Sequence, residues 1–518
     1  MKKKVTFTIA GASALLTFFG FFGKLLGLAR ESLFANYFGL SSDYDIYLIA
    51  VVLPIGINSV ILYITQNYFI PSYHTIKAES ITEAHRFSNT TLWMFGISGL
   101  LLAIVLFLMS ESILKLYLQT DDAILLNRTL VIFRIFIFTI PFNTIFSVFA
   151  SLLQAEFNFK YPIFSQLLLN FIVIIFVFFF NSQLNIISIP VGYLAGTFLQ
   201  VLYLYSKVRK FLIPDFKKFF TSDKFAFFSS TFLFLVVIEI LGQTYSIIDR
   251  YFFEQIDQGG IAALNYAFIL FNLPITIIAF ALTTVLFPTL SKLSGEKSFD
   301  EISNLLKNFF SINLFVFIPI SIVIIFYGDF FIKILFEHGK FDQRATSMTY
   351  NALILYSLSY VFLSSYFVLN KLFYSIKKIK YLFLITIMGI LIKVILSFQL
   401  VTTYKQDGLA LSTSLTYFFL FIVSYLVIFY RLKFKSSNTF LVELLFSGFN
   451  GLFSYYLVYL CRVQSVIHTE LIVDLINLSL FLFFYLINAF LVKHKSFLLI
   501  YEVINRITGT NLRTLKID

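Results

Sequence analysis

Apolar runs long enough to cross a membrane recur along the whole of this 518-residue chain. A helix of about 20 residues spans the ~30 Å hydrocarbon core of a bilayer, where only helices and closed barrels satisfy their own backbone groups. The chain is 59% hydrophobic and contains 70 Phe, with a mean hydropathy of +0.88, which is far outside the soluble globular range. The sequence therefore predicts an all-α integral membrane protein with about 14 transmembrane helices.

Each predicted helix begins near the first residue of one apolar run. These are Val5, Ile46, Thr91, Leu130, Ile163, Ile186, Phe228, Ile261, Phe309, Tyr350, Tyr381, Leu409, Thr439 and Glu470.

Basic residues are distributed unevenly between the connections of these helices. Of the 39 Lys and Arg, 27 fall in the two tails and the even-numbered connections and nine in the odd-numbered ones, while Lys24, Arg134 and Lys393 lie inside the runs. The positive-inside rule then predicts that both termini are cytoplasmic. This topology accounts for the net charge of +12, so we expect no nucleic-acid partner.

Other function classes lack their usual signatures. The connections are too short for an extramembrane catalytic domain, and the single Cys461 excludes a disulfide framework. The stretch SGEKS lacks the upstream glycine and strand of a phosphate loop, and the five His form no HExxH motif. We therefore expect no nucleotide, no metal and no cofactor.

The two halves of the chain resemble each other. Pro54 pairs with Pro274 and Pro71 with Pro288, at offsets of 220 and 217, and GYLAGTFLQ pairs with GLALSTSLT at 216. Similar offsets in separate places indicate duplication of a six-helix unit. Since six is even, both copies share one orientation, as in transporters with parallel repeats.

This repeat predicts the domain organisation. Two six-helix lobes are expected over residues 1–210 and 224–432, separated by the long basic connection SKVRKFLIPDFKKFFTSDK. Two additional transmembrane helices follow over 438–492. Residues 493–518 mix apolar and basic side chains, which is typical of an amphipathic tail on the inner membrane surface.

Charged residues in the stretch Gly23 to Pro71 require an explanation, because this stretch otherwise belongs in lipid. It contains Lys24, Arg30, Glu31 and Asp45. A charge at the centre of a spanning helix costs about 2.5–3.5 kcal/mol on insertion scales, so such residues usually face a bundle interior or a water-filled cavity. The cluster is therefore a candidate cavity wall.

Six stretches in chain order resemble the signature stretches of the MurJ/MviN lipid II flippases, within the multidrug/oligosaccharidyl-lipid/polysaccharide exporter superfamily. They read GKLLGLARE, FGLSSDYDIYLIAVVLP, IIDRYFFEQIDQGGIAALNYAFILFNLP, VLFPTLSKLS, ILFEHGKFD and DGLALSTSL. The resemblance covers roughly residues 10 to 430, and six plus six plus two helices is also that family's arrangement. It implies a transporter in the bacterial cytoplasmic membrane that moves undecaprenyl-diphosphate-linked lipid II from the inner to the outer leaflet by alternating access.

The resemblance also implies a cavity between the lobes whose cations bind the substrate diphosphate. By position, Lys24 stands where the family has an arginine, Arg30 matches an arginine, Glu31 replaces an aspartate and Asp45 matches an aspartate. Together with Arg250, these are the candidate substrate-binding residues.

Two positions depart from the family pattern. Asn58 and Ile269 stand where the family has cavity arginines, beside the prolines of helices two and eight. Because of these departures, a second function stays open, that of a flippase for another lipid-linked polysaccharide unit.

Each candidate also has a structural interpretation. Lys24 could extend to the outer interface, Arg30 and Glu31 could form a surface pair in a loop, and Asp45 could cap the second helix. Arg250 could form an interfacial pair with its neighbour at the end of helix seven.

The resemblance also bears on ion coupling. Some family members bind sodium between a carboxylate of helix seven and polar groups of helices eleven and twelve. Asp249 matches that carboxylate, whereas Gly389 and Lys393 stand where the family has an Asn and an Asp. We expect the Lys393 ammonium to pair with Asp249, or alternatively with Glu239 or another cavity carboxylate, and transport to be independent of sodium.

Two other function classes fit the sequence less well than a flippase. A polysaccharide polymerase or glycosyltransferase would require a large outer loop with catalytic side chains, and the short connections disfavour it. A multidrug-type antiporter usually needs twelve helices, so the two extra helices disfavour that alternative.

Overall fold

A computed structural model describes residues 2–118, 120–213, 230–431, 439–461, 470–499 and 501. Helices make up nearly all of these ranges, which contain no β-strand, so the all-α prediction is confirmed. The α-helices are α1 Lys2–Phe38, α2 Ser42–Ile64, α3 Ile70–Glu79, α4 Ile81–Leu108, α5 Ser110–Tyr117, α6 Ala123–Ile137, α7 Thr139–Ala155, α8 Lys160–Leu184, α9 Ser188–Val208, α10 Ser230–Tyr251, α11 Gly260–Pro274, α12 Phe280–Gly295, α13 Phe299–Phe336, α14 Gln343–Ser357, α15 Tyr360–Ser375, α16 Ile379–Leu426, α17 Thr439–Leu460 and α18 Glu470–Leu491.

Within the described ranges, nine helices are long and apolar enough to cross a membrane, or ten if the pair α14 and α15, bent by 48°, forms one span. Two of the nine, Lys160–Phe211 and Ile379–Tyr430, each contain 52 residues. At 1.5 Å per residue each would be about 78 Å long, more than twice the hydrocarbon core. The count of fourteen stays a prediction, and the predicted helix start at Phe228 lies outside the described residues.

Both 52-residue segments contain a residue with left-handed backbone angles. Asn185 has φ of 47° between α8 and α9, and Lys405 has φ of 50° inside α16. Non-glycine residues rarely adopt this region, so each marks a sharp change of chain direction. The two breaks fall beside the predicted starts at Ile186 and Leu409.

The chain forms two compact units, which are residues 1–262 with 335–345, and residues 263–334 with 346–518. In the first unit, α2, α3, α4, α7 and α9 enclose a buried apolar core that includes Phe69, Tyr73 and Phe149. In the second unit, Phe315, Tyr485 and Ala489 form a smaller buried cluster. The predicted division into lobes, extra helices and tail stays a prediction.

Two of the family-like motifs meet inside the first unit. The Lys340 N–H of ILFEHGKFD donates to the Asn36 carbonyl at 2.9 Å, just before the FGLSSDYD motif. Gly39 (φ 53°) lies against the Lys340 backbone, and Gly339 (φ 58°) lies against Asn36. A Cβ at either glycine would meet backbone atoms of the other segment, so both positions require glycine.

Candidate functional site

Lys24, Arg30 and Glu31 lie on one continuous helix, because α1 extends from Lys2 to Phe38. The alternative that Arg30 and Glu31 form a pair in a loop is therefore wrong. The good helix formers Leu, Ala, Arg and Glu predominate after Gly27 and no proline interrupts the run, so the helix continues past the predicted end of the first span. Lys24 is exposed and lies six residues, or about 9 Å along the axis, before Arg30.

Arg30 is held from several sides within the first unit. Its Nη1 donates to Asn170 Oδ1 on α8 at 2.8 Å, and its Nη2 pairs with Glu31. The guanidinium carbon lies 5.3 Å from the centre of the Tyr193 ring and 5.7 Å from that of Phe34. These contacts fix the plane of the guanidinium and reduce the entropy lost when it binds a ligand.

One donor of Arg30 is buried without a partner among the described residues. Its buried Nε has no hydrogen-bond partner in the part of the chain that the structure describes. A buried unsatisfied donor costs about 1–3 kcal/mol, which an anionic ligand oxygen would recover.

Glu31 connects α1 to α2. Its second carboxylate oxygen accepts a hydrogen bond from the Tyr44 hydroxyl at 3.2 Å. Tyr44 is fully buried and stacks on Phe38 and Tyr47. Glu31 therefore positions Arg30 and anchors it to the buried aromatic cluster.

Asp45 caps a helix, but not the one predicted. The Ser41 hydroxyl caps α2, while the buried Asp45 carboxylate accepts from the Gly259 N–H at 2.7 Å and from the Ala262 N–H at 2.8 Å. These N–H groups belong to the start of α11, where backbone donors have no partner within the helix. Both carboxylate oxygens thus hold the start of α11, and a role of Asp45 in substrate binding stays a prediction.

Asp249 and Arg250 occupy the last turn of α10, and Asp249 is buried. The charge of Arg250 acts on Asp45 and on the Tyr117 hydroxyl, so it helps to balance the buried carboxylate in the first unit. That Arg250 contacts substrate, and that Asp249 takes part in ion coupling, stay predictions.

Glu239 lies three turns earlier on α10. It accepts a hydrogen bond from Gln243 Nε2 at 3.0 Å, one turn further along the same helix. Gly56 of α2 lies against Gln243, where an added Cβ would come within 3.3 Å of the Gln243 Cβ. The glycine thus lets α2 and α10 approach closely beside Glu239.

Lys393 is completely buried in the second unit. Its Nζ donates to the Leu409 carbonyl at 3.1 Å, to Ser412 Oγ at 2.9 Å and to Thr413 Oγ1 at 2.7 Å. All three acceptors belong to DGLALSTSL, which follows the break at Lys405. The predicted pairing of Lys393 with Asp249 or Glu239 stays a prediction.

The two positions that depart from the family pattern, Asn58 and Ile269, differ in their surroundings. Asn58 lines a cavity of about 200 Å³ in the first unit, whereas Ile269 is half-buried in α11. Among the described residues no group of three or more His, Cys, Asp or Glu could hold a metal ion.

Sequence reasoning missed Asn170 and Tyr193, which hold Arg30 from α8 and α9. Neither residue is charged, and each lies more than 100 residues from Arg30, so neither stood out. The available signal was a pair of amide residues, Gln166 and Asn170, four positions apart on one face of an otherwise apolar helix.

The family described as “Lipid II flippase MurJ” matches residues 34–482 of this chain. “Probable lipid II flippase MurJ” of Borreliella burgdorferi is 25% identical over 418 residues, covering 79% of this chain and 81% of the relative. “Lipid II flippase MurJ” of Thermosipho africanus is 27% identical over 414 residues, covering 79% and 83%.

Solved structures agree. “Lipid II flippase MurJ, inward closed conformation” has a TM-score of 0.77 and 25% identity, covering 93% of this chain and 99% of that one. An inward-facing multidrug resistance MATE transporter of the MOP superfamily shares the fold, with a TM-score of 0.67 at 13% identity. This chain, a multi-pass membrane transporter rather than an enzyme, therefore belongs to the lipid II flippase MurJ family.

Proposed function

We propose that this protein moves lipid II, the undecaprenyl-diphosphate-linked peptidoglycan precursor, from the inner to the outer leaflet of the bacterial cytoplasmic membrane by alternating access. The observation that carries this proposal is the family match over residues 34–482, combined with a preorganised Arg30. The relatives that match along this length bear the name lipid II flippase.

Arg30 is the proposed diphosphate ligand. Tyr193, Phe34 and Asn170 hold its guanidinium, and its side chain is 18% exposed, which leaves part of it open to a phosphate oxygen. Arginine suits this task because its fixed fork of donors matches the geometry of phosphate oxygens. The exposed Lys24 on the same helix adds a second positive charge.

The membrane potential supplies the driving force in this proposal. The distribution of Lys and Arg supports a topology with both termini in the cytoplasm. With a negative interior, outward movement of each negative charge is favoured by about 2.3 kcal/mol per 100 mV, and a diphosphate carries more than one. Transport of this kind requires no nucleotide.

We further propose that transport is independent of sodium. The acceptors of Lys393 are one carbonyl and two hydroxyl oxygens, which are groups that also suit an alkali cation. In this proposal the Lys393 Nζ takes the place among these oxygens that a coupling cation would otherwise occupy.

Complementation tests the proposed function. Cells depleted of their own lipid II flippase would express this chain, and an outer-leaflet enzyme would report how much lipid II becomes accessible. We expect the wild-type chain to restore growth and accessibility, and a variant with exposed Lys115 replaced by Ala to do the same. Failure of the wild-type chain at normal expression would overturn the proposal in favour of another lipid-linked polysaccharide unit.

A further inference from the structure

A cavity of about 200 Å³ lies within the first unit, between side chains of α2, α6, α7, α8 and α9. Its polar lining includes three carboxamide side chains, those of Asn58, Asn143 and Gln166. Phe136, Phe146 and Tyr193 contribute aromatic rings to the wall.

The three carboxamides have unused hydrogen-bonding capacity. The hydroxyls of Thr139 and Thr197, which also line the cavity, donate to backbone carbonyls of their own segments at 2.7 and 3.0 Å. The side chains of Asn58, Asn143 and Gln166 form no hydrogen bond with the residues that the structure describes, and Asn58 Oδ1 is shielded from solvent. Several donors and acceptors therefore converge on the cavity without protein partners.

The chemistry of this lining selects an uncharged polar ligand. None of its described side chains is ionisable to a full charge near neutral pH, so it lacks the cation that a phosphate needs. Carboxamides can both donate to and accept from hydroxyl and acetamido groups, and aromatic rings pack on the apolar face of a sugar. The volume is below the ~300–1,000 Å³ of pockets for drug-sized ligands, so it suits a single sugar ring.

Arg30 adjoins this cavity through two neighbours. The Tyr193 ring lines the cavity and lies 5.3 Å from the guanidinium carbon. Asn170 accepts from Arg30 at 2.8 Å and donates to the backbone carbonyl of Gln166, one turn earlier on α8, at 3.2 Å. A diphosphate bound to Arg30 would place the attached sugar next to the carboxamides.

We infer that the cavity lined by Asn58, Asn143 and Gln166 binds the sugar attached directly to the substrate diphosphate. This inference rests on the proposed function and adds a specificity site to it. Asn58 stands where the family has an arginine. In this inference its carboxamide binds the sugar, whereas an arginine there would bind the phosphate.

Binding of two lipids to the full-length purified protein separates the sugar from the diphosphate. Quantitative native mass spectrometry would measure dissociation constants for lipid II and for undecaprenyl diphosphate, which lacks the sugar. The test variant combines Asn143→Leu with Gln166→Met, because both changes keep volume and remove hydrogen bonding. We expect about tenfold weaker binding of lipid II and unchanged binding of undecaprenyl diphosphate.

Two further variants serve as controls. Arg30→Ala should weaken the binding of both lipids. Asn67→Ala should weaken the binding of neither, since the exposed Asn67 amide donates to the Tyr63 carbonyl of its own helix. The single Asn143→Leu variant, measured in the same way, covers the case in which the double variant does not fold.

The outcomes distinguish the two proposals. If the carboxamide variants weakened the binding of both lipids equally, or of neither, the sugar site would be overturned. The proposed flippase function would still stand. Failure of the wild-type protein to bind lipid II would overturn the proposed function, and this inference with it.

Discussion

The Asp45 carboxylate accepts a hydrogen bond from the Gly259 N–H at 2.7 Å, although 214 residues separate the two. The same carboxylate accepts from Ala262 at 2.8 Å and is 1% exposed. Two family-like motifs, FGLSSDYD and IDQGGIAALNY, are thus joined by one side chain within the first unit. This contact ties the start of α11 to α2.

Replacing Asp45 should destabilise the protein. Asp45→Ala leaves two buried N–H groups without acceptors, which costs about 2–5 kcal/mol. Asp45→Asn retains one acceptor and should have an intermediate effect. Thermal unfolding of the purified protein would measure both, with the exposed Asp121→Ala as the control. Equal melting temperatures for Asp45→Ala and the control would contradict this role.

Removing the cation at position 30 should abolish transport without unfolding the protein. Arg30→Ala alone leaves the Glu31 carboxylate, which is 12% exposed, without its ion-pair partner. The double variant Arg30→Gln with Glu31→Gln removes both charges together and should keep the melting temperature close to that of the wild type. Lipid II accessibility in depleted cells should be lost in this variant. Wild-type accessibility would show that Arg30 is not the diphosphate ligand.

Glu156 should contribute stability that depends on pH. It accepts hydrogen bonds from Lys77 Nζ at 2.5 Å and from the Tyr73 hydroxyl. Burial raises the pKa of Glu156, but the hydrogen bonds from Lys77 and Tyr73 outweigh burial, so the pKa lies below its ordinary value. The stabilisation is therefore complete above the pKa of the unfolded chain, about 4.3, and is lost as pH falls through the folded pKa.

Melting curves of wild type and Glu156→Gln across this pH range would check the prediction. We expect the wild type to melt higher at pH 6 and the difference to vanish in acid. A difference that grows as the pH falls would contradict the assigned direction.

His494 should anchor the segment that follows α18. Its ring stacks on Phe446 with ring centres 3.8 Å apart, and its Nε2 lies 3.0 Å from the Glu443 carboxylate. His494→Ala should lower the unfolding free energy by about 1–3 kcal/mol, because it leaves a buried carboxylate without this partner. His494→Phe keeps the stacking, so its unfolding free energy should lie between those of His494→Ala and the wild type. His338→Ala, at an exposed position, is the matched control. Equal losses of unfolding free energy in the two Ala variants would contradict this role of His494.

Sodium should not affect transport. The Lys393 ammonium already occupies a site formed by Leu409, Ser412 and Thr413. Replacing sodium by potassium or choline at fixed membrane potential should leave the rate of lipid II appearance in the outer leaflet unchanged. A clear fall in rate would contradict the prediction.

Sequence patterns predicted the parts of this molecule that depend on local chemistry. Apolar runs predicted an all-helical membrane protein, and charge within lipid-facing sequence identified Arg30 and Lys393 as residues that need partners. The identity of those partners depends on packing between distant helices. Asp45 illustrates the difference: its position at the start of α2 allowed a local cap as one of two interpretations, whereas its carboxylate caps α11.

Helix boundaries were predicted less well than helix existence. The first helix continues through Arg30 and Glu31, because no proline or glycine turn ends it before Gly39. The carboxamide-lined cavity was not foreseen, since Asn58, Asn143 and Gln166 come from three helices and share no motif.

Reconstitution of the purified protein tests the central claim most directly. Vesicles with lipid II incorporated in one leaflet, and with an imposed membrane potential, would report its appearance in the other leaflet through an externally added lipid II-specific enzyme. We expect the wild-type protein to make lipid II accessible faster than protein-free vesicles, and the Arg30→Gln, Glu31→Gln variant to match the protein-free rate. Equal rates for wild-type and protein-free vesicles would contradict the account.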